Sequence, residues 1–382
     1  MPEKPLDFDY QSTTPCSPLV LKAMEPYWEA FWGNPSNRQN RAGIYASAAI
    51  SNARETLASI LGVSPELVVF TSGATESNNL ALLGHARAEA LKNGKPGHLI
   101  TLKTEHNSIL DPILQLHREG FSVTQLSTKS DGLIDLEKLE DAFEDDTFMV
   151  SIMAANNEIG VIQPIPKIAS LCSKYGASLH SDGAQAFGHL PIKLDRLGVD
   201  LFSLSGHKIY GPKGIGALII NKDMPIQPLL WGGDQEQNLR PGTIPVPLVI
   251  GLAKAAEIAY KEQKENSLKL SSLRNQLWNG LKKDIPDLLL NGSLIERLPH
   301  NLNFTVLRVN GRKLHKELRR FINCSSSSAC SNGSPSHVLR ALGRNSIEAE
   351  SSLRLSLGRE TTMEEINKAI SIISEVIKQL RC

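Results

Sequence analysis

Residues 68–82 read VVFTSGATESNNLAL. An apolar, β-rich run ends at Thr71, a Ser72-Gly73-Ala74-Thr75 turn follows, and a helix begins. The helical pattern continues through SNNLALLGHARAEALKNG (77–94), with Gly94 at its stop. The same alternation recurs outward from this stretch. LVVFT (67–71), HLITL (98–102), FSVTQL (121–126), TFMVSIM (147–153), ASLHSD (177–182) and LFSLS (201–205) read as strands. Their near-continuous apolar character is that of strands buried on both faces. GIGALII (214–220) adds one more after a Gly/Pro-rich turn. Strand and helix in alternation predict an α/β domain with a mainly parallel sheet.

The pattern changes after about residue 244. A helical stretch covers 251–285 and is charged in its middle, as one long helix or two joined ones. Strand-like NLNFTVL and SLRLSLG and an amphipathic helix (364–381) then predict a smaller α+β domain. The first residues are too few for a domain of their own. The expected division is 16–258 for the large domain, with 1–15 and 259–382 forming the small one.

Composition narrows the function classes. Of 382 residues, 41% are hydrophobic and 21% charged, which suits a globular chain and excludes a disordered or collagen-like one. Lys+Arg number 41 against 40 Asp+Glu, so there is no basic excess to hold nucleic acid. No apolar run approaches the ~20 residues of a membrane span. The opening MPEKPLDFDY lacks the pattern of a secretory signal, so a cytoplasmic location is expected. The cysteines, Cys16, Cys172, Cys324, Cys330 and Cys382, are then read as free thiols. No C-x-x-C or H-E-x-x-H pattern supports a metal site.

Several strand ends carry chemistry. The turn before Ala74 can cup a phosphate with backbone N–H groups and the Thr75 hydroxyl, or it can be a plain capped turn. It matches neither nucleoside triphosphate nor dinucleotide signatures. In DLFSLSGHKIYGPKGIGAL (200–218), Lys208 follows a buried strand, an unusual place for lysine. A partly buried lysine can form a Schiff base; nearby Lys213 reads as a surface loop residue. The glycines of GPKGIG precede a strand rather than a helix, so a Rossmann reading fails. Asp182 closes another strand at the edge where open α/β sheets bind ligands. It can cap a helix or hold a cationic ring nitrogen, as in pyridoxal phosphate sites. LITLKTEHNSIL (99–110) delivers His106 to the same edge.

With these motifs in place, the sequence closely resembles the NifS/IscS-type cysteine desulfurases of the class V aminotransferase group. The resemblance runs through LDFDYQSTTP, GNPSNR, VVFTSGATESNNLA, TEHNSILD, SIMAANNEIGVIQPI, HSDGAQAFG, SLSGHKIYGPKGIGAL, RPGTIPV, SSSSACS, HVLRALG and SSLRLSLGRETT. It implies a type I, aspartate-aminotransferase-like fold and pyridoxal 5'-phosphate as cofactor. It implies that Lys208 carries the cofactor, Asp182 pairs with its ring nitrogen, and His106 stacks on the ring and assists proton transfer. Asn157 and Gln185 would bond the ring hydroxyl oxygen. Ala74, Thr75, Ser205 and His207 would hold the phosphate. Thr243 and Arg240 would reach the cofactor of a second subunit, so a homodimer is expected. Arg354 and Asn34 would hold the substrate carboxylate, the first through its planar two-pronged donor.

Cys330 matches the family's nucleophile, within the small, polar stretch SSSSACSNGS. Cys172 fits a buried core thiol; Cys324 can be buried at a strand end or stand within reach of Cys330. The implied reaction converts L-cysteine to L-alanine, with the sulfur kept on Cys330 as a persulfide. A sulfur acceptor would follow: an iron–sulfur scaffold, a sulfur carrier or a tRNA-thiolation factor. The alternatives are a C–S lyase or selenocysteine lyase on the same fold, or a non-catalytic scaffold, which would not need Lys208, Asp182 and Cys330. Two departures stand out: Ser327 replaces the family's usual glycine, and the stretch from Cys330 to Pro335 is short. A shorter stretch has less reach, so delivery to an acceptor can depend on an accessory protein.

Overall fold

The computed structural model describes residues 5–326 and 335–381. A short N-terminal strand, β1 (Leu6–Asp7), precedes the main sheet. That sheet comprises β2 (Val68–Thr71), β3 (His98–Leu102), β4 (Ser122–Leu126), β5 (Thr147–Ser151), β6 (Ser178–Asp182), β7 (Leu201–Ser205) and β8 (Gly216–Ile220). Their order is β2-β8-β7-β6-β5-β3-β4. Only β8 runs against the rest, pairing antiparallel with both β2 and β7. The C-terminal ends of the other six therefore share one edge with the start of β8.

Four strands of this sheet, β2, β3, β7 and β8, are buried at every residue, and β5 and β6 at four of five. β4 departs from the expectation of two-sided burial. It is the edge strand, and SVTQL buries none of its five residues fully. Polar Ser122, Thr124 and Gln125 suit that position, because an edge strand has a neighbour on one side only.

The helix after β2 begins at Ala74, earlier than the periodicity suggests, and contains a π-helical turn over Leu80–Gly84. At Gly84 another segment crosses: Gln227 N donates to the Gly84 carbonyl at 3.0 Å. A Cβ at Gly84 would lie 2.6 Å from the Gln227 carbonyl oxygen, so only glycine fits. The stretch after 244 forms one helix, Val246–Asp284, of 39 residues and about 58 Å.

That helix spans two apolar cores. Val246, Val249, Leu252, Ala256 and Ile258 join the core of the main sheet. Leu270, Leu273, Leu277 and Leu281 join a second core with Phe8, Leu302, Phe304, Leu353, Leu355 and the helix Met363–Arg381. The second core backs an antiparallel sheet of β9 (Leu289–Leu290), β10 (Asn301–Thr305), β12 (Ser325–Ser326) and β13 (Ser352–Ser356), ordered β12-β13-β10-β9. β1 pairs parallel with β11 (Ile322–Asn323). We propose the domain boundary at 258/259, between the two groups of buried residues on the long helix.

Candidate active site

The shared edge of the main sheet forms one wall of a cavity of about 520 Å³; β12 and Arg354 of β13 form part of another. Into it come Ser72 to Glu76 after β2, His106 after β3, Asn157 and Glu158 after β5, Asp182 at the end of β6, and Ser205, His207 and Lys208 after β7. Ala74, Thr75 and Gln185 line it too. Gly216 opens β8 against Gly73, where a side chain would meet the Gly73 Cα at 2.7 Å. This packing holds the Ser72–Ala74 turn against the sheet.

A polar chain joins Asp182 to His106. Asp182 Oδ1 accepts from Ala184 N at 2.9 Å, and Oδ2 accepts from Asn78 Nδ2 at 2.7 Å. Asn78 Nδ2 also donates to Ser108 Oγ at 2.8 Å. Ser108 N donates to His106 Nδ1 at 3.1 Å, and His106 thereby caps the helix Asn107–Arg118. An Nδ1 that accepts leaves the ring proton on Nε2. Burial, first, and then Lys208 and His337 push the His106 pKa down; Asp182 opposes them. The ring is therefore neutral at pH 7.

Lys208 Nζ donates to the carbonyl oxygens of Gln11 and Ser12, each at 2.7 Å. Gln185 Nε2 donates to the same Gln11 carbonyl at 3.1 Å. His207 Nδ1 meets Thr13 Oγ1 at 3.0 Å. Burial, then Lys208 and Lys213, lower the His207 pKa to about 4. Lys213 is exposed, as the sequence suggests, but it also lines the cavity.

Arg354 Nη1 donates to the Asn157 carbonyl at 2.8 Å. Its Nη2 lies 2.9 Å from Asp9 Oδ1, 2.5 Å from Ser12 Oγ and 2.7 Å from Ser325 Oγ. Three of the expected site residues stand apart from this cavity. Asn34 is exposed, and its Oδ1 accepts from Ser36 N in a local turn. Arg240 is taken up by Glu76, Nε to Oε1 at 3.1 Å. Thr243 is exposed. The chain's own fold thus does not bring Asn34 to Arg354. Cys330 and Cys382 lie outside the described residues. Cys324 packs half-buried against the second core, and burial pushes its thiol up to about 12. Cys172 is buried in the first core, its thiol also pushed up to about 12.

Sequence reasoning assigned no role to Asp9, Gln11, Ser12, Glu76, Asn78, Ser108 or Glu158. Asn78 had a legible signal, since it lies one helical turn past Ala74. The others depend on contacts across the fold.

Comparison with known proteins agrees with this arrangement. The family profile for Aminotransferase class-V matches residues 7–369. Cysteine desulfurase IscS of Klebsiella pneumoniae is 46% identical, over 99% of this chain and 94% of the relative. A solved NifS-like protein superposes with a TM-score of 0.91 at 36% identity, over 99% of this chain and all of that one. SspA in complex with cysteine superposes at 0.80 and 36% identity, over 94% of this chain and all of that one.

The chain belongs to the class-V aminotransferases. Its fold is the type I pyridoxal-phosphate transferase fold, and its cofactor is pyridoxal 5'-phosphate. The class-V site fits that group. The cavity is within the about 300–1,000 Å³ of small-molecule pockets. It offers an amine on Lys208, a carboxylate on Asp182, a neutral imidazole on His106 and a helix start at Ala74. Asn157 Oδ1 is buried with no partner among the described residues, a deficit that a ring hydroxyl would meet. Among the described residues, no group of three His, Cys, Asp or Glu side chains is placed to hold a metal ion. Among them, too, no helix is long and apolar enough to cross a membrane.

Proposed function

We propose that this chain is a cysteine desulfurase in which Cys330 receives the sulfur of L-cysteine and passes it to an acceptor protein. The observation that carries the reading is a single cavity lined by Lys208, Asp182, His106, Arg354 and Ser325–Ser326, the last only four positions before Cys330. The IscS relative is named for this activity, and SspA, another relative, is solved with cysteine bound.

Lys208, Asp182, His106, Asn157, Gln185, Ala74, Thr75, Ser205 and His207 hold the cofactor. Bound pyridoxal phosphate supplies an electron sink at the amino acid's Cα. Arg354 grips the substrate carboxylate. Lys208 Nζ removes the Cα proton as general base, and neutral His106 is placed to pass protons near it. The Cys330 thiolate attacks the substrate sulfur; an S–S bond forms as the Cβ–S bond breaks. The electron pair of that broken bond stays with the three-carbon fragment, which takes up protons and leaves as alanine.

The homodimer belongs to the same proposal. Arg240 and Thr243 lie outside their own chain's cavity, where a partner's cofactor would find them. Trp32 and Trp231 are 75% and 83% exposed, an unusual presentation for tryptophan. The acceptor would be an iron–sulfur scaffold or a sulfur carrier, in the cytoplasm.

The test is to incubate the holoenzyme with L-cysteine and a reductant and to quantify alanine, sulfide and pyruvate. Alanine matched by sulfide is expected. Pyruvate with ammonia would make the chain a lyase. C330S should keep its cofactor and form no alanine; full turnover by that variant would remove Cys330 from the mechanism.

A further inference from the structure

Ser12 lines the cavity and touches both Lys208, the proposed base, and Arg354, the proposed carboxylate grip. Its carbonyl accepts from Lys208 Nζ at 2.7 Å, and its hydroxyl oxygen lies 2.5 Å from Arg354 Nη2. The guanidinium is over-subscribed at this nitrogen. Nη2 carries two hydrogens, yet Asp9 Oδ1, Ser12 Oγ and Ser325 Oγ all stand within 2.9 Å of it.

The hydroxyl protons can be followed. Ser325 Oγ donates to Asp9 Oδ1 at 2.7 Å, so its proton is committed to a carboxylate. Among the described residues, the Ser12 hydroxyl proton is left with Ser325 Oγ at 3.2 Å, a long contact for two hydroxyls. A carboxylate oxygen entering beside Arg354 is a far better acceptor, because hydrogen bonds to ionised groups are shorter and stronger. Arg354 Nε points the same way: it is buried and has no partner among the described residues.

We infer that Ser12 is a substrate-positioning residue whose hydroxyl donates, beside Arg354, to the α-carboxylate of the amino-acid substrate. The inference rests on reading the cavity as an amino-acid site, and it adds a residue of the N-terminal segment to substrate recognition. Through its carbonyl, Ser12 also fixes that carboxylate relative to Lys208, the proposed base.

S12A is a clean probe. Arg354 keeps Asp9, Ser325 and the Asn157 carbonyl, and Lys208 keeps both main-chain acceptors. The holoenzyme and S12A are titrated with L-alanine and with ethylamine, followed by cofactor absorbance. Alanine carries the carboxylate but no thiol, so the result does not depend on desulfuration. Losing a hydrogen bond to a charged group should weaken L-alanine binding about tenfold or more, with ethylamine within twofold of the parent. KM for L-cysteine should rise by a similar factor, with kcat changing less than threefold. Equal weakening of alanine and ethylamine would make Ser12 a structural residue. Unchanged alanine binding would remove it from the site. Failure of the parent enzyme to make alanine from cysteine would refute the desulfurase reading and leave the Ser12 titration intact.

Discussion

Lys208 Nζ donates to the Ser12 carbonyl at 2.7 Å across 196 positions of sequence. The contact turns the amine into the cavity at the edge of the main sheet rather than out into solvent. A main-chain carbonyl cannot lose a proton or move far, so it aims the amine without neutralising it.

Covalent attachment of the cofactor should therefore depend on Lys208 alone. After borohydride reduction, mass spectrometry of the parent chain should find the cofactor fixed on the peptide that contains Lys208. K208A should bind pyridoxal phosphate reversibly and retain none after reduction and denaturation. Label on Lys213, which also lines the cavity, would reassign the role.

Asp182 is held from two sides, by Ala184 N and Asn78 Nδ2. D182N keeps the size and much of the hydrogen bonding but removes the charge that would face a cationic ring nitrogen. A preorganised electrostatic contact of this kind is worth roughly a hundredfold or more in rate. Alanine formation by D182N should fall at least that far, with weaker cofactor binding by equilibrium dialysis. A loss under threefold would mean that the carboxylate only caps the turn at Ala184.

The strand-end residues were legible because each sits directly after a run that is hard to read as anything but a buried strand. Thr75, His106, Asp182 and Lys208 therefore needed only the topology to meet. The contacts beneath them were not legible. Gln11 and Ser12 reach Lys208, and Asp9 reaches Arg354, through pairing of the N-terminal segment with the small sheet, where Asp9 bridges to Ser356. No local pattern announces a pairing across more than 300 residues. The exposure of β4 was missed for a related reason, since an edge strand is defined by the neighbour it lacks. Asn34 was placed with Arg354 by resemblance alone, and among the described residues its Oδ1 is held instead by Ser36 N.

Acid should destabilise the fold through buried histidines. Burial pushes His180 down to about 3, where it lies between Ser151 Oγ and Ser203 Oγ. Burial lowers His189 to about 4. His300, packed against His189 with ring centres 4.1 Å apart and planes tilted by 33°, is driven well down by burial and then by His189 and two arginines. Unfolded, all three return to about 6.5. Below that pH the unfolded chain binds protons that the folded chain does not. The stabilisation is thus complete above about 6.5 and is lost as pH falls toward 4, by at most about 1.4 kcal/mol per pH unit for each group. Calorimetry at pH 5.0 in two buffers of different ionisation enthalpy should show these rings contributing close to three protons taken up on unfolding. An uptake near zero would mean that these rings are already charged in the fold.

Glu236 presents the sharpest stability test. Its carboxylate is 1% exposed and accepts from Arg54 Nη1 at 3.0 Å, Arg54 Nη2 at 2.6 Å and Phe70 N at 2.7 Å. It ties the helix Arg41–Leu61 to β2, with the guanidinium 4.7 Å from the centre of the Phe70 ring. The pair also holds a strained turn. Glu236, Gln237 and Asn238 have φ of 45°, 59° and 64°, and left-handed backbone costs an ordinary residue about 1–2 kcal/mol. Two positions further on, Arg240 reaches Glu76 at the cavity. E236A leaves Arg54 partly buried without its carboxylate, frees Phe70 N and releases the turn. Breaking a buried pair from one side costs about 3–5 kcal/mol, so the urea midpoint should drop markedly. Arg240 should then lose its fixed position, and cofactor affinity should fall along with stability. A loss under about 1 kcal/mol would mean that the turn is held by its other contacts, such as Gln237 Nε2 on the Glu66 carbonyl.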